Sequence, residues 1–129
     1  MKGYTDLEQS KKLAEILPLE SADMEYLTIN ETDSLIGTVP FVKDNSEVED
    51  SSYNYNYNRI ACWSLAALLG VLSKTAHSID EDGSVSLGSY KNIEWGLCLT
   101  NTNVELFTAN NPVDACYQMI MNLHELKML

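Results

Sequence analysis

The sequence predicts an α+β fold, with three helices at about 5–17, 61–73 and 112–127 packed against a small antiparallel sheet. Three stretches carry that expectation. Ile60 to Leu72 holds no charged residue and is longer than an ordinary strand of roughly 5–6 residues. Residues 84–108 alternate apolar and polar side chains, the pattern of a half-buried antiparallel meander. Asn111 onward opens with a cap, a proline and an acid before an apolar stripe, which is how a helix begins.

Taken in order, Thr5 to Leu17 reads as the first helix. Thr5 and Glu8 have capping-box spacing, Leu7, Ala14 and Leu17 fall on one face with Leu13 and Ile16 beside them, and Pro18 ends the run. Glu25 to Ile29 and Leu35 to Val42 (residues 25–29 and 35–42) are candidate edge strands. Pro40 lacks the N–H a central strand donates, which confines the second of them to an edge. Lys43 to Asn58 (43–58) is acidic and then alternates Tyr53, Tyr55 and Tyr57 with asparagine, as a loop or an edge segment would.

Ile60 to Leu72 is then expected to be the central helix, buried on most sides. Leucines and alanines are good helix formers, and Val71 is the single β-branched residue after Ile60. A helix apolar all round needs neighbours on all sides. Ser73 to Gly83 reads as a loop ending in an Asp80-Glu81-Asp82-Gly83 turn. Val85 and Leu87 give one strand, and Ile93, Trp95, Leu97 and Leu99 another. Val104 to Thr108 gives a third. Cys116, Met119, Ile120, Leu123 and Leu126 form the inward stripe of the last helix, which Val113 and Met121 widen.

Length and charge bound the function. A chain of 129 residues has room for a single domain with one core. The net charge is −11, and residues 1–58 carry twelve acids against four bases. Such a surface repels nucleic acid and anionic membranes, so neither is expected as a direct partner. Solubility accounts for the acidity, and imitation of nucleic acid is the sharper alternative. The three cysteines are widely spaced and odd in number, which argues for reduced thiols in a cytoplasmic setting. No transmembrane segment or signal peptide is expected.

Site chemistry is sparse. Cys62, Cys98, Cys116, His77 and His124 show no paired metal-ligand spacing, so no metal and no cofactor is implied. A glycine-rich phosphate loop is missing too. Tyr53, Tyr55 and Tyr57 are the candidate binding residues, because clustered tyrosines favour interfaces. Trp63 and Trp95 read as core anchors. The oligomeric state stays open, with a homodimer compatible with the sequence.

Four segments together resemble a known group. They are Glu8 to Leu13 (EQSKKL), Ser21 to Met24 (SADM), Cys62 to Leu69 (CWSLAALL) and Asn111 to Ile120 (NPVDACYQMI). In these the chain is similar to small proteins without assigned activity carried by Bacteroides-type gut bacteria and their phages. The resemblance covers both ends and the middle of the chain, while the tyrosine-asparagine segment is particular to this sequence. It implies a cytoplasmic, phage-derived accessory protein and no catalytic residue.

Cys62-Trp63-Ser64 also resembles the start of the papain-like cysteine peptidase helix, where a thiol in the first turn feels the positive end of the dipole. That chemistry further requires a histidine in contact and an oxyanion donor. His77 is the available histidine, in an expected loop, and no glutamine lies shortly upstream. The sequence therefore predicts a non-enzymatic protein-binding module, with a Cys62-dependent hydrolase and an acidic nucleic-acid mimic as alternatives.

Overall fold

The computed structural model describes residues 2–29, 35–37, 39–43, 57–90 and 94–129. They form three α-helices and two three-stranded antiparallel sheets, an α+β fold as expected. The chain divides into two compact units: Asp6–Trp63, and Ser64–Leu129 together with Met1–Thr5.

In the Asp6–Trp63 unit, α1 (Leu7–Ile16) is capped by Asp6, whose side chain accepts from the Gln9 N–H at 2.8 Å. The Gln9 side chain accepts in return from the Asp6 N–H at 3.1 Å. The capping box thus sits one residue later than the expected Thr5–Glu8 pair. Asp6 is the better cap, being a charged acceptor at the positive end of the helix, and Thr5 is buried.

A 3₁₀ turn at Leu19–Ser21 leads into β1 (Met24–Ile29), the central strand of its sheet, flanked by β2 (Phe41–Val42) and β3 (Tyr57–Cys62). The expected strand over 35–42 contracts to two residues and one isolated bridge between Thr28 and Leu35, in keeping with a proline at 40 that cannot donate. These strands are not edges of the downstream meander. They form a sheet of their own, which α1 packs against through β3.

The largest correction falls on the central stretch. Residues 60–62 are not helical: they end β3, where Met24 pairs with Cys62 and Tyr26 with Ile60. A helix starts only at Leu65, as α2 (Leu65–Ile79), with Ser64 as cap accepting from the Ala67 N–H at 3.2 Å. It also runs through the expected loop to Ile79. Thr75 and Ser78 are absorbed there because their hydroxyls donate to the carbonyls of Val71 and Thr75, at 3.0 and 2.8 Å.

Nor is this helix buried all round. Leu68, Leu72, Thr75 and Ala76 are buried, whereas Ala66, Gly70, Ser73, Lys74 and His77 are exposed. Alanine and glycine count as apolar in a sequence but lose little by facing water, so an uncharged stretch still builds a one-sided helix.

The Ser64–Leu129 unit packs α2 and α3 (Pro112–Glu125) on a meander of β4 (Ser84–Tyr90), β5 (Glu94–Thr100) and β6 (Phe107–Ala109). Leu97 pairs with Leu87 on one side and Phe107 on the other, all on the face that carries Leu99. Strand β4 extends as far as Tyr90, Ile93 lies outside the described residues, and the third strand begins at Phe107 rather than Val104.

Helix α3 follows its signals at the start: Asn111 accepts from the Asp114 N–H at 2.9 Å, with Pro112 behind it. Asp114 also meets Lys2 at 2.9 Å, and Leu65 donates to the Gly3 carbonyl at 3.0 Å, which ties the first residues to this unit. Val113, Cys116, Met119, Ile120 and Leu123 are buried. Leu126, expected inward, is the exposed C-cap.

Candidate functional site

A cleft of about 520 Å³ opens in the Asp6–Trp63 unit. Successive side chains of a strand point to opposite faces, so the pairing of β1 with β3 sets Glu25, Ala61 and Arg59 on one face. Helix α1 adds Lys11 and Ala14, one turn apart. Leu19 comes from the 3₁₀ turn, and Met24 and Ile60 from the strands. Lys43 stands just beyond β2.

Charge in this cleft runs against the rest of the unit. Among the described residues, Lys11, Lys43 and Arg59 line it together with one acid, Glu25. The unit as a whole carries twelve acids against four bases, and Arg59 is the sole arginine of the chain. Glu25 is 9% exposed in the central strand. Its Oε1 lies 3.5 Å from Arg59 Nη1, whose side chain is 61% exposed. That distance gives a Coulombic contact but a poor hydrogen bond. The Lys43 ammonium donates to the Leu19 carbonyl at 3.1 Å and is thereby fixed at the cleft.

The residues singled out from the sequence lie elsewhere. Cys62 is fully buried at the end of β3, two residues before the cap of α2. The argument that a helix dipole activates it therefore fails, because that field is confined to the first turn. His77 is exposed in the last turn of α2, not in a loop. Tyr53 and Tyr55 lie outside the described residues. Tyr57 begins β3, an edge strand, opposite Ile29.

Cys116 is buried in α3, and burial pushes its thiol up from 9.0 to about 12. Cys98 is half-buried on β5, and no disulfide joins the three cysteines. Trp63 is a core anchor as expected: its indole N–H donates to the Ser21 hydroxyl at 2.9 Å. Among the described residues no group of three His, Cys, Asp or Glu side chains is placed to hold a metal. Among the same residues no helix is long and apolar enough to cross a membrane.

Sequence reasoning did not find Lys11, Glu25, Lys43 and Arg59. The one available signal was that positive charge is scarce, and so a base in the acidic half is worth locating.

A second surface feature belongs to the same unit. Among the described residues nine large hydrophobic side chains stand exposed, and six of these fall within residues 19–42: Leu19, Ile29, Leu35, Val39, Phe41 and Val42. Val42 is 78% exposed and Leu19 54%. Both residues of the two-residue strand β2, Phe41 and Val42, are exposed. Compared with protein-family models, with curated proteins and with solved structures, the chain matches none.

Proposed function

We propose that this chain is a non-enzymatic, cytoplasmic accessory protein of phage or mobile-element origin that acts by binding a protein partner. One observation carries the reading: the concentration of exposed aliphatic and aromatic side chains on and around β2. Scattered surface hydrophobics are ordinary, but a cluster of them marks an interaction site. Strand β2 is an edge strand, and such edges present unpaired backbone groups to an incoming strand. The resemblance of the four segments described above supports the origin. The full burial of Cys62, which keeps its thiol from solvent, supports a binding role over a thiol hydrolase.

The test is a pull-down from host lysate with wild type, Phe41→Ser/Val42→Ser, and Tyr53→Ser/Tyr55→Ser/Tyr57→Ser. Loss of the same captured protein from either variant supports the reading. An unchanged set of captured proteins from both variants counts against it.

A further inference from the structure

Strand β4 is an edge of the β4-β5-β6 sheet and is seven residues long. It carries none of the devices that protect such an edge. Ser84–Tyr90 holds no charge and no proline. Its pairing with β5 runs without a bulge, from Ser84 against Thr100 to Tyr90 against Glu94. The other described edges are defended: β2 and β6 are two and three residues long, and β3 carries Arg59.

Ser84 sets the direction of the backbone groups. Its N–H donates to Thr100 Oγ1 at 3.1 Å, and that hydroxyl donates to the Ser84 carbonyl at 3.2 Å. Ser84 therefore turns both groups toward β5. Alternate residues of an antiparallel strand turn theirs to opposite sides, so Val85, Leu87 and Ser89 present N–H and C=O outward. Among the described residues nothing pairs with that side of the strand. The side chains of the same three residues share the face of Leu97 and Leu99, on which α2 packs. Val85 and Leu87 are half-buried there.

We propose that β4 takes an extended segment of a partner protein as a fourth antiparallel strand, with apolar residues opposite Val85 and Leu87 and basic residues at its C-terminal end. In strand addition the main chain supplies affinity and alternate side chains supply selectivity. Aliphatic residues opposite Val85 and Leu87 extend the half-buried face beside α2. The C-terminal end of the segment runs past Ser84 to the exposed Asp80-Glu81-Asp82 turn. Asp80 spends one oxygen on the Asp82 N–H at 2.8 Å. Among the described residues no cation pairs with Glu81 or Asp82. In sequence the opposite end of β4 balances Lys91 with Glu94, which leaves the acidic pull at the Ser84 end. A second copy is the poorer occupant. Each chain carries −11, and seven residues a side fall short of the roughly 20–30 of a stable interface.

The probe is the acetylated, amidated peptide Val-Thr-Val-Thr-Val-Thr-Lys-Lys-Lys, titrated into the full chain by calorimetry. Saturable binding is expected, with slowed amide exchange at Val85, Leu87 and Ser89. Valines opposite those residues aim their own N–H groups at β4. N-methylation of the valines should therefore abolish binding, whereas N-methylation of the threonines should be tolerated. Glu81→Lys/Asp82→Lys should weaken binding several-fold to about tenfold, the scale of two exposed ion pairs. Ser89→Pro removes an outward N–H at an exposed residue, where an edge tolerates proline, and should weaken binding roughly tenfold. Ser89→Ala should leave it unchanged.

Four results overturn the proposal. The peptide fails to bind, or it protects amides outside β4. The valine-methylated peptide binds as tightly as the parent, which would rule out a backbone ladder. A peptide ending in three glutamates binds as tightly as the lysine form, which would remove the role of the acidic turn. The free chain sediments as a dimer with the β4 amides already protected, which would give the edge to a second copy. Phe41 and Val42 lie in the other unit, so this test and the pull-down fail separately.

Discussion

One chemical change, glycine to alanine, should move stability in opposite directions at two positions of the same unit. Gly70 lies inside α2, and a Cβ added there meets nothing within 4 Å. Alanine at that position gains helix propensity and narrows the unfolded chain, worth about 0.5–1 kcal/mol. Gly83 closes the turn after α2, where its N–H donates to the Asp80 carbonyl at 2.7 Å. A Cβ on Gly83 would overlap the Ala76 carbonyl oxygen and stand 2.8 Å from both the Ala76 carbonyl carbon and the Asp80 oxygen.

These are backbone atoms, so the relief must come from moving the end of the helix or the start of β4. Forced overpacking of this kind costs about 1–3 kcal/mol. For a chain of 129 residues a change of one kcal/mol shifts the midpoint by about 3–5 °C, between the values for smaller and larger domains. Gly70→Ala should therefore melt above wild type and Gly83→Ala below it, separated by roughly 5–20 °C. Thermal unfolding followed by circular dichroism measures both. If the two variants shift together in either direction, the close approach at Gly83 is not what requires the glycine.

Other outcomes follow from the same packing. Leu123→Ala removes a fully buried side chain of α3 and should cost about 2–5 kcal/mol in urea unfolding. Asn111→Ala leaves the Asp114 N–H without its acceptor and should cost about 1 kcal/mol. A double-mutant cycle of Trp63→Phe with Ser21→Ala should return a coupling of about 1 kcal/mol for the indole hydrogen bond.

Thiol chemistry gives two further expectations. Iodoacetamide should label Cys98 of the native protein well before Cys62 or Cys116, since the latter two are sealed from solvent; rapid labelling of Cys62 below pH 7 would revive a catalytic role for it. Burial raises the folded pKa of Cys116 above its unfolded value. The stability it contributes is therefore fully present below pH 9 and is lost as pH climbs from 9.0 toward about 12. Over that window wild type should lose stability faster than Cys116→Ala, and parallel pH profiles would contradict the assignment.

What could be read from the residues alone was whatever local chemistry settles. The cap, proline and acid at the head of α3 act within one turn, and each sits where its pattern requires. The alternation of Trp95, Leu97 and Leu99 with polar neighbours encodes a half-buried strand, because the period of two is a property of the backbone. Pro40 limited β2 for an equally local reason. The α+β class follows from such signals.

Other features were decided by partners distant in the chain. Ile60 to Cys62 suits a helix or a strand about equally, and pairing with Met24 to Tyr26 made it strand. The hydroxyls of Thr75 and Ser78 suited a loop until the buried face of α2 extended past them. The cleft is the extreme case. Lys11, Lys43 and Arg59 are unremarkable in sequence, and only a helix packed on a strand, with the sheet register of β1 and β3, brings their charges to one cavity. Local backbone preference is written along the chain. The meeting of charges is written in the sheet register and the packing, which bring together residues far apart in sequence.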